Sequence, residues 1–154
     1  MKTCFFRVFA ILTLLVGISP ASADPDLQIS EPWIREAPPS ARVLAGYLTL
    51  LNTGDSTITV TAISSPDFEG AEIHRTVIED GVARMLPVNQ LEIPVSGQLT
   101  LEPGGLHLML FDPRRPLAEG GSATLTIHRS NGSNLTTTAP VIRKTGEDHP
   151  HHHH

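Results

Sequence analysis

The sequence predicts an all-β protein built as a two-sheet sandwich or a small Greek-key barrel. Three observations predict it. Short runs rich in Val, Ile, Leu and Thr are separated by Pro, Gly, Asn and Asp. Two of these runs, "STITVTAIS" and "ATLTIHRS", alternate with period two, the pattern of a strand with one wet face. No stretch keeps a helical period over three turns.

Residues 1–23 do not fit that pattern. Lys2 and Arg7 supply positive charge, Val8 to Ile18 is an apolar run broken only by Thr13 and Gly17, and Ala21-Ser22-Ala23 is a small-residue cleavage site. This is the layout of a secretory signal peptide, with an apolar run too short to span a bilayer. A bacterial periplasm is the expected destination, and no other segment reads as a membrane span. Cleavage removes Cys4, leaving neither a disulfide nor a thiolate ligand. It also removes Lys2 and Arg7, so Lys+Arg falls from 11 to 9 against 16 acids, a formal charge of −7. That balance argues against nucleic acid and against anionic lipid as partners.

The sandwich domain is expected over residues 24–143. Its candidate strands span 27–35, 43–51, 57–64, 71–78, 82–88, 98–101, 106–111, 123–128 and 134–141. "REAPPSAR" between the first two is a rigid loop, because Pro38 and Pro39 fix φ and withhold donors. Asp80-Gly81 between 71–78 and 82–88 is the strongest hairpin signal, suited to a type I′ turn. The segment 106–111 is entered through a second turn signal, Pro103-Gly104-Gly105. The sequons at Asn131 and Asn134 fall in a polar turn and strand and read as chance matches. Residues 144–154 follow the last apolar residue, Ile142, and are expected to be a disordered, His-rich tail.

Four side chains form a candidate metal site. A two-residue loop at Asp80-Gly81 pairs Glu79 with Val82, Thr76 with Met85 and His74 with Pro87, making His74 and Met85 diagonal neighbours on one face. A one-residue change of register puts them on opposite faces. In 106–111, Leu106, Leu108 and Leu110 face the core, so His107 and Met109 share the other face. The result is two pairs, each with one imidazole and one thioether. Singly, a strand Met is core filler and a surface His is a solvated side chain; the joint pattern is what points to a site. His128 has no methionine near it in sequence and reads as structural or exposed.

Ligand softness then selects the ion. A thioether is neutral, polarizable and a poor ligand for hard cations; it suits Cu(I), with imidazole as companion. Zn²⁺ seldom takes Met. Outside the cytosol paired thiolates are prone to disulfide formation, whereas methionine is lost only to the sulfoxide.

The spacing His74-x10-Met85-x21-His107-x-Met109 resembles that of the periplasmic copper chaperone family PCuAC. "EPWIREAPPSARVLAGYLTLLNTGD", "AEIHRTVIEDGVARM", "LEIP" and "LEPGGLHLMLFDPRRPLAEG" resemble it too, from about Leu27 to His128. The resemblance implies a cupredoxin-like β-sandwich that binds Cu(I) through His74, Met85, His107 and Met109. It also implies delivery of copper toward the binuclear centre of cytochrome c oxidase, on subunit II, alongside a thiol-bearing copper chaperone. Alternation points Arg75, next to a ligand in sequence, away from the metal face. His149, His151, His152, His153 and His154 form an auxiliary Cu(II) or Zn(II) site or an expression tag.

Other functions are open to the same residues. Nothing resembles an activated nucleophile, so the chain is not expected to be an enzyme. Blue-copper electron transfer needs a Cys thiolate that the secreted chain lacks. Periplasmic copper storage or resistance would use the same four ligands without delivery. A metal-free Ig-like interaction module would use none of them.

Overall fold

The computed structural model describes residues 26–143, all strands, turns and loops. The predicted signal peptide and the His-rich tail, with its five histidines, lie outside the described residues. Ten strands follow in order: β1 (Leu27–Arg35), β2 (Val43–Asn52), β3 (Ile58–Ser64), β4 (Phe68–Glu79), β5 (Val82–Pro87), β6 (Leu91–Ile93), β7 (Gln98–Leu101), β8 (Leu106–Pro113), β9 (Ser122–Arg129) and β10 (Asn134–Ile142). The all-β prediction holds, and nine of the ten strands sit where alternation places them, with ends shifted by a few residues.

The strands hydrogen-bond along one open path, β5-β4-β8-β2-β1-β10-β9-β3-β6, with β7 added to β2. The path folds over at a short parallel pairing of β1 with β10, Ile34 to Val141 and Arg35 to Ile142. One layer is therefore β5-β4-β8-β2-β1 and the other β10-β9-β3-β6. Between them lies a single core that takes Leu44, Leu48, Leu50, Ile73, Leu108 and Leu110 from the first layer and Ile58, Val60, Ile63, Leu125 and Ile127 from the second. Alternation is the cause: every second residue of each strand turns inward. Leu108 and Leu110 are fully buried, and truncating either to Ala would cost about 2–5 kcal/mol.

Two departures from simple alternation matter. β1 carries a register shift between Ser30 and Trp33, with Glu31 at φ 50°. This bulge, next to Pro32, re-aims the strand so that Trp33 stacks on Tyr47, ring centroids 4.4 Å apart. The strand that the sequence pattern does not reveal is β6. Its three residues are too few to show a period, yet Leu91 and Ile93 are buried through pairing with β3. The buried Asn52 side chain secures the segment, its Nδ2 donating to the carbonyls of Ser56, Ile93 and Pro94.

Candidate metal centre

The site is built by the pairing of β4, β5 and β8. Asp80 and Gly81 both have positive φ, 51° and 77°, the signature of the type I′ turn. That turn fixes the register predicted for the hairpin: Glu79 opposite Val82, Thr76 opposite Met85, His74 opposite Pro87. On its other side β4 pairs with β8, which sets His74 directly across from His107 and Glu72 directly across from Met109. All four predicted ligands therefore share one face of the first layer, turned away from the leucines of β8. Arg75 is exposed and, by alternation, on the opposite face.

Beyond β8 the same face continues onto β2, where Ala45 stands opposite Met109. The small side chain leaves space. A cleft of about 330 Å³ opens there, lined by Met85, His107 and Met109 together with Thr76, Ala45, Tyr47 and Arg35. The Arg35 guanidinium forms part of its wall, 6.0 Å from the Trp33 ring centroid and 5.8 Å from that of Tyr47. Burial pushes the Tyr47 hydroxyl above its ordinary range, so it stays protonated at neutral pH. No local spacing in the sequence marks Arg35 or Tyr47. They arrive from β1 and β2 through non-local pairing.

The polar atoms of the site carry the chemical information. His74 Nε2 lies 2.8 Å from Glu72 Oε2, and His107 Nδ1 lies 3.1 Å from the Gly105 carbonyl oxygen. The other nitrogen of each ring, His74 Nδ1 and His107 Nε2, is buried without a hydrogen-bond partner. Buried polar atoms are nearly always paired, so two such nitrogens on facing residues require an explanation. His128 provides the contrast: its Nε2 meets Ser64 Oγ at 2.7 Å and its Nδ1 meets Asn134 Oδ1 at 2.8 Å. Both of its ring atoms are occupied, as expected of a structural histidine.

Gly105 owes its position to the turn before β8. Gly104 has φ +81°, a conformation L side chains rarely adopt. The turn presents the Gly105 carbonyl to two donors, the Thr76 amide at 3.1 Å and His107 Nδ1. One oxygen thus joins β4 to the His107 ring.

The donors differ in exposure. His107 is 6% exposed, whereas Met85 is 58% exposed on an edge strand that is open along its whole length. Two buried ring nitrogens without hydrogen-bond partners, on the face that also carries two thioethers, are the donor types that suit a soft monovalent ion. Among the described residues no three His, Cys, Asp or Glu side chains lie together as a metal group. Nor, among these residues, is any helix long and apolar enough to cross a membrane.

The family model described as "Putative lipoprotein LpqE-like" matches residues 27–141. A curated relative from Leifsonia xyli subsp. xyli, "Putative lipoprotein Lxx21020", is 28% identical over 152 residues, covering 90% of each chain. Among solved structures, the Cu(I) form of DR1885 from Deinococcus radiodurans is 32% identical with a TM-score of 0.62, over 81% of this chain and 83% of that one. The copper-bound PCuAC domain of PmoF2 shares the fold at 21% identity, with a TM-score of 0.66 over 80% of this chain and 97% of that one. With most of its described length matched by that family model, the chain belongs to the LpqE-like family, whose domain is of PCuAC type.

Proposed function

We propose that the protein is a copper metallochaperone of the cell envelope. It holds one Cu(I) on His74, Met85, His107 and Met109. The observation that carries this reading is the pair of buried, partnerless nitrogens, His74 Nδ1 and His107 Nε2, on facing residues of the strands that also bring Met85 and Met109 to that face. A bound ion would give each lone pair the partner it lacks. Kinship with the DR1885 structure, solved with Cu(I), supports the choice of ion.

The gradient of exposure suits transfer. The two imidazoles sit low between β4 and β8 and retain the ion. Met85, on the open edge strand, is the ligand an approaching acceptor can replace first. Each step exchanges one monodentate donor for another, so no bare ion is released. Storage would be served by enclosed ligands, and Met85 is not enclosed. The periplasm is the compartment, in keeping with the leader at residues 1–23 and the lipoprotein names of the relatives. The acceptor is a copper-requiring protein such as subunit II of cytochrome c oxidase, with its binuclear centre, reached together with a thiol-bearing copper chaperone.

The test is a Cu(I) competition titration on residues 24–144, which excludes both Cys4 and the terminal histidines. One Cu(I) per chain is expected, with any Cu(II) or Zn(II) uptake confined to chains that keep His149 and His151 to His154. No retained Cu(I) would refute the site. Copper loading of apo subunit II, wild type against His107→Ala, tests delivery.

A further inference from the structure

The two facing histidines offer unlike ring atoms. A carboxylate oxygen only accepts, so in the neutral ring, the form able to ligate, the 2.8 Å contact with Glu72 Oε2 puts the His74 proton on Nε2 and the lone pair on Nδ1. A carbonyl oxygen likewise only accepts, so the 3.1 Å contact with Gly105 places the His107 proton on Nδ1 and leaves the lone pair on Nε2. In both rings the nitrogen left with a lone pair is the buried atom that has no partner. Resting on the copper-site reading above, we propose that Glu72 is a positioning residue that makes His74 an Nδ1 donor. Cu(I) is then held by Nδ1 of His74 and Nε2 of His107.

The placement of Glu72 is systematic. It lies two residues before His74 on the same face of β4, directly across from Met109. An imidazole without such a partner divides itself between two tautomers and several ring orientations. A carboxylate on Nε2–H removes that freedom and makes the opposite nitrogen a stronger donor, the arrangement common among metal-binding histidines. The unlike atoms also suit the register. Nδ1 is bonded to the ring carbon nearest the backbone and Nε2 is not, so two directly opposed rings present lone pairs at different reach. Glu72 itself is largely open to solvent, with 59% of its side chain exposed. Its substitution therefore leaves the core untouched. The Gly105 carbonyl does the same service for His107, but as backbone it cannot be tested by replacing a side chain.

The experiment uses the secreted chain, residues 24–154, with ¹⁵N-labelled histidine and Ag(I) as a redox-inert stand-in for Cu(I). In the metal-free protein, long-range ¹H–¹⁵N spectra should show His74 protonated at Nε2 and His107 at Nδ1. After loading, silver–nitrogen coupling should appear at His74 Nδ1 and His107 Nε2. Glu72→Leu should lose the fixed His74 tautomer and weaken Cu(I) binding about 10–100-fold, with backbone amide shifts beyond β4 and β8 unchanged. Glu72→Gln keeps an acceptor oxygen and should preserve the tautomer. Silver coupling at His74 Nε2, or Glu72→Leu binding Cu(I) as tightly as wild type, would overturn the proposal while leaving the copper site standing. Absence of any coupling at either histidine would overturn the copper-site reading itself.

Discussion

His74 and His107 occupy directly opposed positions of β4 and β8, with ring centroids 6.1 Å apart. The rings are tilted by 45° to one another. They do not hydrogen-bond to each other; each is anchored elsewhere, one by a carboxylate and one by a carbonyl. A site with two such anchors is organised before its ion arrives, and little ordering entropy remains to oppose binding. His107→Ala removes the deeper donor. Cu(I) affinity should fall by more than about 100-fold, beyond the range seen when only a ligand's own partner is lost. Competition against a Cu(I) chelator checks this, and an affinity within about threefold of wild type would exclude His107 as a ligand.

The methionines separate packing from ligation. Met109 is half-buried opposite Ala45, so Met109→Leu nearly preserves volume and should cost less than about 1.5 kcal/mol in stability. Met85 is largely exposed, and Met85→Leu should change stability by no more than about 0.5 kcal/mol. Both should weaken Cu(I) binding. Urea unfolding of the metal-free variants, set beside Cu(I) titration, reads the two effects independently. Full Cu(I) affinity in the Met109→Leu variant would argue against thioether ligation.

A pH effect is expected far from the site. Glu36, just after β1, accepts from the Arg143 guanidinium just after β10 and from the Glu119 amide. The Arg143 hydrogen bond, with help from Glu119 N–H and the Arg143 charge, holds the Glu36 carboxyl below the ordinary 4.5. Its folded value lies below its unfolded value. The stabilisation is therefore complete above the ordinary glutamate range and is lost as pH falls through the depressed folded value. Glu36→Gln should lower the melting temperature at neutral pH and change it little once the pH is well below the ordinary glutamate range. Equal shifts at both extremes would mean that the ion pair does not contribute.

Much of this was legible in the sequence because it rests on local rules. Asp80-Gly81 allows one tight turn, that turn allows one register, and the register fixes which of β5's side chains share a face with His74. The alternation of Leu106, Leu108 and Leu110 did the same for His107 and Met109. What escaped depends on pairings that no local pattern encodes. Ala45, Tyr47 and Arg35 reach the cleft through β2 and β1, and Leu91–Ile93 becomes a strand only because β3 is there to receive it. The anchors lie between these cases. Glu72 stands two residues from His74, on its face, a spacing from which the pair could have been read; the Gly105 carbonyl could not, since it depends on the path of the Gly104 turn.

The dependence of the site on strand parity can be tested by exchanging two neighbours. Arg84 and Met85 adjoin each other on β5, so they point to opposite faces. The double variant Arg84→Met/Met85→Arg keeps composition and net charge. It carries the thioether to the far face and sets a guanidinium beside His107 and Met109. Every β5 side chain is exposed, so the core is not disturbed. The exchange breaks the surface ion pair of Arg84 with Glu79, 3.4 Å apart, a type of pair worth about 0–1 kcal/mol. Folding should therefore survive while Cu(I) binding collapses, both through the missing sulfur and through the new cation facing the ion. Calorimetry of the metal-free variant and Cu(I) competition read these two outcomes. Retention of wild-type affinity after the exchange would show that the ion does not need Met85 on this face.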